Sequence, residues 1–401
     1  MKKFFCLLIV LALIIPFAFA IGGSDKSKAS GAAPQGARIT PEQQWAKDNG
    51  LDLDESMDEL YKKALAEGGK VVVYTISSRH ARIKPMFEQD YPGMTLTAHN
   101  ISSGELLEKF QREYEAGIRA ADIIHSKEQV GEYYIDFIQK GALHNYSPKS
   151  VFANTNPQYM FMTPFFFELN LWFYNTERFK ESPLTSWWQL TTPEWRGKSV
   201  FQDAANNAAY TAMLTTMIQH ADDMAKDYKA FFGHDIVLAR DEPTAAHAWI
   251  KRYLANSPII AANSEEVISM LGAPGQANPP WVGYASSVRL RDKVDQKMAI
   301  DYNPYILKPS NGIYAMNFLA IVNGAPNPAG AKLYIRYLLG GDDGKGRGFS
   351  VYTDIGTWPA RPEQPSAKGN LELPKIPLWP LDLDYVYNNI MDTRDYYIIH
   401  R

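Results

Sequence analysis

Three short polar runs in this chain carry the residue types that grip a small anion. Ser77-Ser78-Arg79 offers two hydroxyls and a guanidinium, a set that meets phosphate or carboxylate oxygens with charge-assisted hydrogen bonds. Ser102-Ser103-Gly104 adds two hydroxyls beside a glycine that lets the backbone come close to a ligand. Asn206-Asn207, with Tyr210 one turn further on, forms the third run. Each stands where a short apolar run gives way to a helical pattern. A helix start has unpaired N–H groups and the positive end of the helix dipole, so it draws negative charge. Ser and Asn are also preferred N-caps, so plain capping competes with ligand contact at every one of these positions.

Two further features add polar groups. Glu168 and Asn170 interrupt the apolar, aromatic stretch from Phe161 to Tyr174. A buried carboxylate needs a partner, which a ligand, solvent or another part of the fold could supply. In Gly283-Tyr284-Ala285-Ser286, Tyr284 could close over a ligand with Ser286 beside it. With 23 tyrosines in the chain, core packing is the competing reading.

Other chemistries find less support. His80 and His125 stand near strand ends and could assist a metal. The eight histidines include no pair with metalloprotease spacing. Gly344, Gly346 and Gly348 follow a helix, where a nucleotide loop would follow a strand. There is no serine elbow, and no carboxylate pair can be assigned acid and base roles. No catalytic residue, metal site or cofactor is therefore assigned. The enzyme alternative that remains is a secreted carbohydrate-active hydrolase using two carboxylates.

The elements that must position these residues alternate. Thr40 and Pro41 open a helical stretch that reaches Gly68. From Lys70 the pattern predicts strand 71–74, helix 79–90, strand 94–98, helix 103–116, strand 121–124 and helix 128–140. The long strand 161–174 follows. Strand 198–201, helices 208–219 and 244–254, strand 259–262, helix 265–271 and strand 281–285 come next. Residues 313–322 and helix 328–339 return the chain to the first half. Strand–helix alternation at this spacing implies parallel sheet covered by helices. Two α/β lobes joined by more than one crossing predict a hinge and an interlobe cleft, with crossings at Leu169–Tyr174 and Gly283–Ser286. Ligands in such sheets sit at the carboxyl ends of the strands.

Composition restricts the setting. Lys2 and Lys3, the apolar run from Phe4 to Phe19 and the small residues around Ala20 follow the plan of a cleaved secretory signal. Losing residues 1–20 removes two of the 41 basic residues, leaving 39 against 44 acidic, a net charge of −5. That balance argues against a nucleic-acid surface. The only cysteine, Cys6, leaves with the signal, so stability must come from burial. Residues 21–69 read as a tether and helix, and 362–401 as a Pro-rich, aromatic tail packing around the outside.

Several segments together resemble the bacterial extracellular solute-binding proteins of the ferric-iron, phosphonate and sugar-phosphate type, the type II periplasmic binding proteins that serve ABC importers. Val72-Val73-Tyr74-Thr75 with Pro85-Met86-Phe87-Glu88 resembles the opening strand and helix. Ser102 to Leu106 resembles the second helix start, Ala121-Asp122-Ile123 the third strand, and Trp172-Phe173-Tyr174-Asn175 the crossing strand. Ser186-Trp187-Trp188-Gln189-Leu190 with Pro193-Glu194-Trp195-Arg196-Gly197-Lys198 is the most recognisable segment, and Gly324 to Pro328 with Ala331 matches the late helix. The match runs from about Lys70 to Arg361. It implies one lobe from 70–168 and 306–361, a second from 169–305, and a monomer in the periplasm. It also implies a small-molecule ligand, a permease as membrane partner and no enzymatic activity. For ferric members the resemblance implies tyrosine ligands, often an adjacent pair in the second lobe; Tyr133-Tyr134 lies in a first-lobe helix and Tyr396-Tyr397 in the tail, so the residues favour an anionic organic ligand over ferric iron.

Overall fold

The computed structural model describes residues 39–401, so the expected signal and most of the tether lie outside the described residues. Helices α1 (Pro41–Asp48) and α2 (Met57–Ala66) come first. Each opens with a reciprocal capping box, Thr40 with Gln43 and Ser56 with Glu59. The single helical stretch expected here is broken at Gly50, which turns the chain at φ 61°.

Next come β1 (Lys70–Thr75), α3 (His80–Asp90), β2 (Thr95–Asn100), α4 (Ser103–Glu115) and β3 (Ile123–Glu128). Their strands pair in parallel in the order β2-β1-β3. β3 runs on to Glu128, so the helix expected over 128–140 is instead a π-helix over Glu132–Ile138. Glu128 causes the change. Its buried carboxylate accepts the N–H groups of Val130, Gly131 and Tyr134, which turns the chain out of the strand.

β4 (Leu143–His144) and α5 (Lys149–Phe152) lead into β5 (Thr163–Asn175), the long strand expected from the aromatic stretch. The second half comprises β6 (Ser199–Gln202), α6 (Ala208–Gln219), α7 (Ala221–Phe232), α8 (Ala245–Ala255), β7 (Ile259–Ala261), α9 (Ser264–Gly272), β8 (Val282–Ser286), α10 (Asp292–Asp295) and β9 (Ile300–Tyr302). The chain then returns through β10 (Tyr314–Val322), α11 (Pro328–Leu338) and β11 (Trp358–Pro359), and ends in α12 (Leu383–His400).

β5 belongs to both halves. Up to Leu169 it pairs with β10 and β11, and from Asn170 with β8 and β9. Because strand side chains alternate between faces, Leu171 and Phe173 join one hydrophobic core while Trp172 and Tyr174 join another. β8 lies wholly inside the second sheet, with Trp172 opposite Tyr284. The crossing expected at Gly283–Ser286 is therefore made elsewhere, by residues 303–313 between β9 and β10.

The second core is built on Trp187, Trp188 and Trp249, all fully buried. The Trp249 indole donates to Trp187 O at 2.8 Å. The tail closes this core from outside, since α12 packs on α6 and α8 and buries Val386 and Tyr397. α12 also reaches the first half, where Tyr387 donates to Asp136 at 2.9 Å. Leu383 O sits so close to Gly131 that a Cβ there would meet it at 2.9 Å.

In the first half, the ends of β1 and β3 are joined by a buried chain of polar groups. Tyr334 OH lies 2.7 Å from His80, His80 2.8 Å from His125, and His125 3.1 Å from the Thr75 hydroxyl. Burial lowers the His80 pKa to about 3 and holds that of His125 well below the usual value. Both rings are thus neutral and structural.

Two outcomes are expected. Trp249→Ala should cost about 3–5 kcal/mol in denaturant melts, as for other large core truncations. In addition, unfolding returns His80 to its ordinary value of 6.5, so between there and about pH 3 the unfolded chain binds a proton that the folded chain refuses. Stability should be full above pH 6.5 and fall as pH drops, by at most about 1.4 kcal/mol per pH unit for each ring. Melts between pH 7 and 5 should show a shallower slope for His125→Gln than for the unaltered protein; an unchanged slope would refute the assignment.

Candidate functional site

Beside β5, where Leu169 pairs with Tyr314 and Asn170 with Ser286, the carboxyl ends of β3 and β8 approach each other, β3 ending level with Phe167 and β8 opposite Asn170. Loops from both halves come together there.

After β1, the Thr75 hydroxyl accepts the Ser77 N–H at 3.0 Å, and the chain turns through Ser77, Ser78 and Arg79 into α3. Ser77 Oγ lies 3.4 Å from Tyr352 OH, and Ser78 is exposed. The Arg79 guanidinium lies 5.0 Å from the Tyr352 ring centre and donates to Asp354 at 2.6 Å. Arg291, which follows β8 in the second half, approaches the same Asp354 carboxylate at 3.7 Å. One carboxylate thus stands between guanidiniums from the two halves.

The helix starts divide into two kinds. Those of α3 and α4 carry no side-chain cap. Ser102, Ser103 and Gly104 are all exposed, and Ser102 Oγ donates to Glu105 at 3.3 Å without capping α4. Nothing lies within 4 Å of where a Gly104 Cβ would be. At α6 the capping reading holds, because Asn207 Oδ1 accepts the Ala209 N–H at 3.1 Å and its amide donates to Gln202 at 2.9 Å. Asn206 donates to Asp203 at 2.7 Å.

Three expectations need correction. Tyr284 does not face the cleft. Its ring is fully buried beside Trp172, Trp187 and Phe201, and its hydroxyl donates to Asn311 O at 3.0 Å. Tyr210 is likewise core, donating to Tyr284 O at 2.6 Å. Burial raises both phenol pKa values, so both stay neutral donors. Glu168 is buried, but Lys127 of β3 already pairs with it, so an ion pair stands there instead of a lone carboxylate.

Ser286 is placed differently. Its N–H donates to Ser264 Oγ at 3.1 Å, and Gln202 donates to the same hydroxyl at 2.8 Å. The Ser286 hydroxyl itself is buried with no partner among the described residues, so it is a polar group at a strand end that is free to bond.

Sequence reasoning singled out Arg79 but missed Arg82, Arg289 and Arg291. A cavity of about 790 Å³ opens between α3, the Thr353–Ile355 segment, α9 and the turn after β8. Arg82, Arg289, Arg291 and Lys368 line it with Glu265, Asp292, Asp295 and Asp354. Arg289 pairs with Glu265 at 3.5 Å and with Asp292 at 3.4 Å. The alternating Arg289-Leu290-Arg291 was the available signal; Asp354 had none. Among the described residues, no three His, Cys, Asp or Glu side chains are grouped to hold a metal ion.

Comparison with known proteins agrees with this architecture. Iron-bound HitA from Pseudomonas aeruginosa superposes with a TM-score of 0.61 at 13% identity, covering 82% of this chain and 99% of HitA. Ferric ion-binding protein A from Pasteurella haemolytica also gives 0.61, at 16% identity over 83% and 98%. AfuA from Actinobacillus pleuropneumoniae, a periplasmic binding protein with fructose 6-phosphate bound, gives 0.59 at 17% identity over 83% and 98%. At these identities the likeness establishes the fold, that of the two-lobed type II periplasmic binding proteins. No curated protein matches in sequence. The sequence model of one family matches residues 83–371, most of the chain and most of both sheets. By that match and the fold around it, the chain belongs to the bacterial extracellular solute-binding proteins, a family of binders.

Proposed function

We propose that this chain is the periplasmic solute-binding component of an ABC importer and that it holds a small anionic ligand between its two sheets. The carrying observation is Asp354, an oxyanion of the protein's own held between Arg79 and Arg291. A phosphate ester, phosphonate or carboxylate is attracted to the same guanidiniums. The uncapped starts of α3 and α4 add backbone N–H groups. The Ser78 and Ser103 hydroxyls, and that of Ser286, would complete the contacts. Asn206 and Asn207 act mainly on their own loop.

On this reading, residues 70–168 with 306–361 form one lobe and 169–305 the other. They hinge at β5 and at the 303–313 return. Closing brings Arg79 and Arg291 together on the ligand, and the closed face docks on the permease. The chain is exported by a leader over residues 1–20, acts as a monomer and turns nothing over. Of the three proteins named above, two are iron binders by name and one holds a sugar phosphate. Arginine-rich walls suit the second kind of cargo.

Two experiments test this. Mass spectrometry of protein purified natively, with metal analysis of the same sample, should find an anionic organic molecule and no stoichiometric iron. That molecule should raise the melting point without being consumed, adding about 2.7 kcal/mol at a hundredfold excess over Kd. In titration calorimetry, Arg79→Ala and Arg291→Ala should each weaken it by about ten- to a hundredfold, with unchanged circular dichroism. Unaltered affinity in both variants would remove the site.

A further inference from the structure

The C-terminal segment builds a second cavity of opposite chemistry. It measures about 610 Å³ and is walled by the π-helix after β3, the start of β10 and residues 373–384. Tyr134, Tyr159, Tyr314 and Trp379 line it together with Asp382 and Asp384, and no lysine or arginine does. It shares no lining residue with the arginine cavity. Its tail wall lies outside the stretch matched by the family, which ends at 371.

The rings are fixed in place. Tyr159 meets Tyr314 edge-on at 5.5 Å, and Tyr134 meets Phe161 edge-on at 5.4 Å. Trp379 is nearly buried, stacks on His220 at 5.8 Å, and its backbone N–H donates to Gly312 O at 2.9 Å. The Asp382 carboxylate accepts from the Tyr385 N–H and the Gln219 amide, each at 2.9 Å. Both donors are neutral, so the negative charge of Asp382 stays uncompensated by them. Asp384 is exposed at the rim.

We propose that this cavity is a binding site for a small organic cation of the alkylammonium type. Aromatic faces attract a cation through their quadrupole, and more strongly where water is excluded. The carboxylates add a charge that repels the anions suited to the arginine cavity. A sugar would use the rings and could donate hydroxyls to the carboxylates, but it gains no charge attraction from them, so its binding would not weaken with ionic strength. The fixed rings reduce the ordering cost of binding. The proposal does not depend on the identity of the anionic ligand.

Calorimetry of the whole protein with tetramethylammonium chloride, against sodium chloride as control, tests it. Saturable binding that weakens with ionic strength is expected. Tyr314→Leu should weaken it about threefold or more, and Asp384→Asn about twofold or more. Arg79→Ala should leave it unchanged. Asp384 is an exposed side chain, so that variant decides the matter if Tyr314→Leu fails to fold. The proposal is overturned by absence of saturable binding, by neopentyl alcohol or glucose binding as tightly as the cation, by Asp384→Asn binding unchanged, or by loss of binding in Arg79→Ala.

Discussion

The backbone pairing of β5 is the constraint on which the rest of the molecule depends. Thirteen residues run through two sheets, with one register shift against β10 at Phe165, and the pairing passes from β10 to β8 between Leu169 and Asn170. Strand geometry alternates side chains strictly, and a slip of one residue would turn every one of them to the wrong face. Trp172 and Tyr174 would leave the tryptophan-rich core, and Leu171 and Phe173 would leave the other. The register is therefore held from both sides. It brings the ends of β3 and β8 close to one line across β5, and the candidate site lies between the halves because β5 leaves one sheet there and enters the next.

Charge is distributed unevenly around that line. Buried ionisable groups close to it are neutralised or already paired, as with the two histidines and the Lys127–Glu168 pair. The arginines are left in partly exposed pairs across a wide cavity. Exposed pairs are weak and exchange partners at little cost. A ligand anion can compete for such guanidiniums, whereas it could not displace a fully buried pair. The two halves are thus rigid inside and exchangeable at their facing edges, which suits repeated capture and release.

Local signals made the alternation of strands and helices readable from Lys70 onward, along with the aromatic crossing strand and the polar helix starts. Readings that depended on distant partners failed. Whether Tyr284 faces a cleft or a core is decided by Trp172 and Trp187, about a hundred residues earlier. Asp354 meets Arg79 across 275 residues, and no periodicity records such a pair. The π-helix arose from three backbone donors turning toward one carboxylate. Residues 362–401 read only as a Pro-rich, aromatic tail packing around the outside, and α12 lies within it, where Tyr396-Tyr397-Ile398-Ile399 suits a strand as well as a helix.

The position of α12 also affects how the molecule comes into being. Trp379, Val386 and Tyr397 belong to the second core, yet they stand far along the chain from Trp187, Trp188 and Trp249. Until this distant segment docks, the tryptophan cluster lacks its outer wall and meets water. Completing that half is therefore a long-range event, slow in the way that non-local contacts are slow to form.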